Sequence, residues 1–165
     1  MTTNNHKLIE AIQERDILTL RELAGEYSDE ASINQSQRNI NLAIISYSLN
    51  KIYSKIHLRE KTRDLEAEVI LKLTEDKLEE VRDAIFAFDE ENGLFYGGLG
   101  HKARVKIGSR LYSQGLSITQ SANLVDININ EIQDYVGETK DHDTHHGRQH
   151  GSPLEERLRH AREIL

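Results

Sequence analysis

The sequence predicts an all-α protein, and three observations support that fold class. Proline occurs once in the 165 residues, and Gly25 is the only glycine before Gly93. Charged residues make up 30% of the chain and hydrophobic residues 37%, a mixture typical of amphipathic helices. Apolar residues recur at steps of three and four, whereas no segment shows convincing strand alternation. We expect four parts: a helical bundle at 1–93, a second helical unit at 98–139, a linker at 140–152 and a C-terminal helix at 153–165.

The N-terminal bundle is predicted to begin with two short helices followed by a central one. Residues 7–15 and 17–27 each carry a narrow apolar face, and Gly25 is expected near the end of the second helix. Residues 35–56 carry a wider apolar stripe, so this segment should be the most buried helix. The stripe consists of Leu42, Ile45, Leu49, Ile52 and Ile56, widened by Ile40, Ile44 and Tyr47.

Two further amphipathic helices are predicted between residues 62 and 88, separated near Thr74 and followed by a stop signal at Gly93. The next helix is expected from about His101 to just before Gly115. The glycines that precede it allow two interpretations, a phosphate-binding cradle or a hinge between two helical units. The hinge is favoured, because no buried strand comes before the run, as phosphate-binding loops require. These glycines are Gly97, Gly98 and Gly100.

Residues 117–137 form two short predicted helices, each with its own start signal. Ser117 with Gln120 forms a capping box, and Asn128 with Glu131 repeats the arrangement eleven residues later. Small and apolar residues favour a close crossing of the two helices, namely Ala122, Val125, Ile127, Ile132 and Tyr135. This spacing resembles that of the helix-turn-helix superfamily, in many members of which the second helix enters the DNA major groove. Asp126 stands where the superfamily usually has Gly, and Asp tolerates a left-handed backbone better than most residues.

The resemblance implies a trihelical helix-turn-helix-like module with DNA or RNA as its partner. Residues 98–120 carry four basic residues and no acid, although the net charge of the chain is −7. This basic island is expected to contact phosphates, while three amide side chains of the last pair contact base edges. The island consists of Lys102, Arg104, Lys106 and Arg110, and the amides are Asn128, Asn130 and Gln133.

A protein partner is the alternative. Glu131 and Asp134 fall on or near the exposed face of the second predicted helix, where their charge opposes a phosphate backbone. The same helices would then form an adaptor module that meets a basic protein. Both hypotheses describe a regulatory or tethering protein rather than an enzyme, and a homodimer would place two basic islands near phosphates.

Metal binding is a third and weaker hypothesis. The linker contains His142, His145, His146 and His150 beside two aspartates, and imidazole and carboxylate are ligands for zinc or nickel. The segment lacks apolar periodicity, and ordering its ligands costs conformational entropy, so a solvated linker is favoured. No cofactor is expected, and the Glu-x-x-His motif of helical di-metal carboxylate enzymes is absent.

Composition indicates a cytoplasmic protein without a membrane span. The chain has no cysteine, which excludes disulfides and thiolate metal sites and favours a reducing compartment. Its longest aliphatic runs are far shorter than a bilayer requires, and the N-terminus has no apolar signal segment. The C-terminal helix, amphipathic through Leu154, Leu158, Ala161 and Leu165, is expected to dock on the bundle or to dimerise.

Overall fold

The computed structural model describes residues 5–138, which form helices joined by short turns, with no β-strand in this range. The helices are α1 (His6–Gln13), α2 (Ile17–Asn34), α3 (Gln37–Tyr53), α4 (Thr62–Thr74), α5 (Leu78–Asn92), α6 (Leu99–Ser113), α7 (Ile118–Val125) and α8 (129–138), with a 3-10 turn at Ile56–Leu58. The all-α prediction is confirmed for the described residues. The predicted linker at 140–152 and helix at 153–165 lie outside them.

α2 is longer than the sequence indicated. Asp16 caps its N-terminus, because the carboxylate accepts hydrogen bonds from the backbone of Leu18 and Thr19. The hydrogen bond from the Thr19 hydroxyl is the main reason why the pKa of Asp16 is lowered. The helix continues through Gly25 to Asn34, so the prediction that Gly25 marks its end is wrong. The Arg110 side chain packs close to this glycine, since a Cβ at residue 25 would lie 3.2 Å from a guanidinium nitrogen of Arg110.

α3 is the central helix, as its stripe predicted. Ser36 caps it, and α3 contacts α2, α5, α6 and α7, which bury its side chains on several sides. Ile45, Leu49 and Ile52 are fully buried. The prediction fails at Ile56, which is 84% exposed, because the helix ends at Tyr53 and the chain turns through an extended Lys55.

A polar network joins the start of α3 to the turn between α4 and α5. Asp76 lies in that turn with a φ of +59°, and Arg38 donates hydrogen bonds of 2.6 and 2.7 Å to its two carboxylate oxygens. Asn5 donates a third, of 3.1 Å. These contacts, with Arg38 the largest cause, lower the pKa of Asp76.

The substitution Asp76→Asn is expected to lower the free energy of unfolding by less than about 1 kcal/mol near neutral pH, because the pair is partly exposed and screened. Asn keeps the shape and tolerates the left-handed backbone. The pKa of Asp76 is lower in the folded state than in the unfolded state. The carboxylate therefore stabilises the fold at pH values above its unfolded pKa of about 4, and this stabilisation is lost as the pH falls through its folded pKa. Urea unfolding of both proteins between about pH 7 and pH 2 measures this; a difference that persists at the acid end would contradict the assignment.

α5 and α6 are connected by the glycine-rich run. Gly93 ends α5 in a left-handed conformation, and α6 begins at Leu99, two residues earlier than predicted. Asp89, a buried residue of α5, accepts a hydrogen bond of 2.7 Å from the backbone amide of Leu99. The protein's own carboxylate therefore occupies the first free amide of α6, which argues against the phosphate-cradle alternative at Gly97, Gly98 and Gly100.

One cluster of buried apolar side chains extends from Leu8 in α1 to Val125 in α7. α2, α3, α5 and α6 supply most of the cluster, so the helices that carry the site described below share this core. Among the helices of residues 5–138, none combines the length and hydrophobicity that crossing a bilayer requires.

Candidate functional site

α7 and α8 form the helical pair that the capping signals predicted. The Ser117 hydroxyl accepts a hydrogen bond from the Gln120 amide, and the Gln120 side chain accepts one from Ser117, so the capping box is confirmed. Asp126 ends α7 with a φ of +57°. Asn128 then caps α8: its side chain accepts from the amide of Asn130, and Glu131 accepts from the amide of Asn128.

The pair packs on α6 across a glycine. A Cβ at Gly108 would lie 2.9 Å from a methyl of Val125 and 3.0 Å from a methyl of Ile132. Both partners are buried, and Ile132 is 0% exposed. The absence of a side chain at residue 108 therefore lets both helices approach the backbone of α6.

Both lysines of the predicted basic island lie beside aromatic rings. The Lys102 ammonium is 5.6 Å from the ring centroid of Phe95. The Lys106 ammonium is 5.7 Å from the ring centroid of Tyr135 in α8 and donates a hydrogen bond of 3.2 Å to its hydroxyl. Both lysines remain exposed, so their ammonium groups stay accessible to an anion.

The other two cations point toward different helices. Arg104 lies over the ring of Phe86 in α5, 5.7 Å from its centroid. Arg110 donates hydrogen bonds of 2.9 and 3.1 Å to the carboxylate of Asp29 in α2. The hydrogen bond with Asp29 is the main reason why the pKa of Arg110 is raised. The basic island is thus distributed around α6 rather than gathered on one side.

A cleft between α2, α3 and α6 brings cations together from distant parts of the chain. Its volume is about 540 Å³, and its lining includes Arg21, Lys51, Lys106 and Arg110. None of the described residues that line it is an Asp or Glu. Its apolar wall includes Leu18 and Ile107. We call this feature the cationic cleft. The partner of Arg110, Asp29, lies outside its lining but partly neutralises one of its four charges.

The sequence did not reveal two of these four cations. Arg21 lies in the second turn of α2 and Lys51 near the end of α3, and each is a single cation directly beside a buried core residue, Leu20 and Ile52 respectively. Lys51 is half-buried, with its ammonium 5.3 Å from the ring centroid of Tyr47. No local pattern distinguishes such residues, because only the packing of α6 against α2 and α3 places them beside Lys106 and Arg110.

A second groove lies between α6 and α8 and has mixed charge. α6 contributes Lys102 and Lys106, whereas α8 contributes Glu131, Asp134 and Glu138. Glu131 also lies 3.6 Å from the imidazole of His101. Lys106 and Tyr47 line both the groove and the cationic cleft, so the two features are contiguous.

The three predicted amide residues differ in availability. The side-chain oxygen of Asn128 is engaged in capping α8. Asn130 and Gln133 are exposed on α8, next to the acidic wall of the groove. Of the three predicted residues, Asn130 and Gln133 are therefore the two whose side-chain amides a ligand can approach without disturbing the cap of α8.

The metal hypothesis concerns residues beyond the described range. Within residues 5–138, no three His, Asp or Glu side chains come together in an arrangement that could hold a metal ion. The predicted ligands His142, His145, His146 and His150 lie outside that range.

Comparison of the chain with protein-family models, curated proteins and solved structures gives no match. The fold and the site define a helical protein with a cationic cleft beside a capped helical pair.

Proposed function

We propose that this chain is a non-catalytic nucleic-acid-binding protein that holds a phosphate backbone in the cationic cleft. The observation that carries the proposal is the convergence of Arg21, Lys51, Lys106 and Arg110 on one cleft that no described carboxylate lines. Cations gathered from three helices cost mutual repulsion, which a bound polyanion relieves. Neutralisation of phosphates and release of their counterions supply most of the affinity in such complexes.

The helical pair α7–α8, which resembles a helix-turn-helix, has a secondary part in this proposal. α8 carries Glu131, Asp134 and Glu138, and these oppose a phosphate backbone alongside it. The phosphate contacts are therefore assigned to the cleft rather than to α8. Asn130 and Gln133 remain the candidate contacts to base edges, because their amides are exposed and the groove beside them is continuous with the cleft.

A salt-dependent binding measurement tests the proposal. Fluorescence anisotropy with labelled random-sequence DNA and RNA is expected to show affinity that falls steeply as salt rises. The combined variant Arg21→Ala, Lys51→Ala and Lys106→Ala should reduce the slope of log affinity against log salt by about 2–3, because each lost cation removes about one phosphate contact.

A matched control keeps the same change in net charge. Arg59, Lys61 and Arg63 are exposed cations near the start of α4 that do not line the cleft. For their triple alanine variant, the slope of log affinity against log salt should differ from that of the wild type by no more than about 1. If the slope fell equally in both triple variants, net charge and not the cleft would determine binding. If the wild type did not bind nucleic acid at low salt, the proposed function would be overturned.

The acidic wall of α8 favours a second candidate function, the binding of a basic protein through α8. The combined variant Asp134→Asn and Glu138→Gln distinguishes the two. Neutralisation should strengthen nucleic-acid binding if the ligand passes beside α8, because it removes repulsion. The second function would be favoured if the variant bound nucleic acid as tightly as the wild type but no longer bound a basic protein that the wild type binds.

A further inference from the structure

The turn between α5 and α6 displays an exposed aromatic side chain, one residue after a ring that contacts two lysines. Tyr96 is 97% exposed. Its neighbour Phe95 is partly buried and receives two cations: the ammonium of Lys55 lies 4.7 Å and that of Lys102 lies 5.6 Å from its ring centroid. An exposed tyrosine ring offers a face on which a flat aromatic group can stack, and the lysines at the neighbouring Phe95 attract anions.

This cluster is connected with the cationic cleft through α6. Lys102 lines the groove together with Lys106, and Lys106 also lines the cleft. Lysines therefore alternate with aromatic rings along this face: Lys51 with Tyr47, Lys106 with Tyr135, and Lys102 and Lys55 with Phe95. Lys102 and Lys106 are exposed, Lys51 and Lys55 are half-buried, and Tyr96 adds an exposed ring directly after Phe95 in the chain.

We infer that the ligand of this surface is a single-stranded nucleic acid, with its backbone along the lysines and a base stacked on Tyr96; this rests on the proposed function. A duplex keeps the faces of its bases inside the stack, so an exposed aromatic ring gains little from it. A single strand exposes those faces, and proteins that bind single strands combine a cationic track with aromatic stacking platforms. The acidic α8 also fits a flexible strand better than a rigid duplex, because a flexible strand can follow the cations and avoid the carboxylates.

Binding of three labelled probes tests the inference: oligo(dT), oligo(U) and a DNA duplex, each about 20 nucleotides or base pairs long. The wild type is expected to bind a single strand at least about 10-fold more tightly than the duplex. Tyr96→Ala should weaken single-strand binding by about 10-fold and leave duplex binding unchanged, whereas Tyr96→Phe should retain wild-type affinity because it keeps the ring. The two single-stranded probes separate DNA from RNA as the preferred strand.

Tyr112→Ala is the matched control, since Tyr112 is a 42% exposed tyrosine of α6 that lines neither the cleft nor the groove. It should bind all three probes like the wild type. Duplex binding as tight as single-strand binding, or a Tyr96→Ala loss that is equal for all probes, would overturn this inference while the cleft proposal stands. No binding of any probe at low salt would instead refute the proposed function.

Discussion

Leu49→Asp is expected to unfold the protein, with a loss of about 5 kcal/mol in the free energy of unfolding. Leu49 is 0% exposed in α3, the helix that contacts α2, α5, α6 and α7. The substitution removes a buried apolar side chain and places a carboxylate where water cannot reach it. A loss of this size is comparable with the whole stability of many domains. Circular dichroism and urea unfolding measure it.

Leu71→Asp provides the control, because it makes the same chemical change at a leucine of α4 that is 61% exposed. The free energy of unfolding should change by no more than about 0.5 kcal/mol, as is usual for surface substitutions. If both variants unfolded, the result would reflect the added negative charge. A Leu49→Asp variant with the wild-type melting temperature would refute the assignment of α3 as the core of the bundle.

The sequence predicted those parts of the fold that depend on local signals. The stripe of α3, the break at Thr74, the stop at Gly93 and the cap at Ser117 each follow from residues within one or two turns of a helix. Local hydrogen bonds and apolar periodicity act over the same short distances that a pattern can detect.

Glycine shows where local reasoning fails. The sequence predicts that α2 ends near Gly25, yet Gly25 lies inside α2. Its nearest neighbour from outside α2 is the guanidinium of Arg110, 85 positions away in the sequence, and such a distant contact leaves no local pattern. Gly108 likewise carries no local signal, although α7 and α8 pack directly against it.

The sequence predicted only two of the four cations of the cationic cleft. Lys106 and Arg110 belong to a basic run that composition reveals, but Arg21 and Lys51 reach the same cleft from α2 and α3. Helix geometry also separates neighbours in the run, since Arg104 lies over α5 while Lys106 faces α8. Counting charges along the sequence therefore identifies basic segments, but it does not show which cations lie on the same surface.

The contact at Gly108 determines how the helical pair is held on α6. A Cβ there would lie 2.9 Å from Val125 and 3.0 Å from Ile132, closer than side-chain carbons normally approach. Val125 is β-branched and has little rotamer freedom, so it cannot easily make room. Any larger side chain must therefore push α7 and α8 away from α6 or distort its own helix.

Gly108→Leu is accordingly expected to lower the free energy of unfolding by about 3 kcal/mol. The cost of overpacking is larger than the roughly 1 kcal/mol that is gained from the higher helix propensity of leucine.

Gly137→Leu is the control: Gly137 lies in α8 with nothing within 4 Å of its missing Cβ, and the same exchange there should be neutral or slightly stabilising. Urea unfolding gives both values, and amide exchange in residues 118–138 reports whether α7 and α8 have detached while the bundle stays folded. Stability of Gly108→Leu equal to that of Gly137→Leu would show that the two helices do not pack on α6 at this residue. The expected detachment follows from sterics alone, since a leucine at residue 108 and the methyl groups of Val125 and Ile132 cannot occupy the same space.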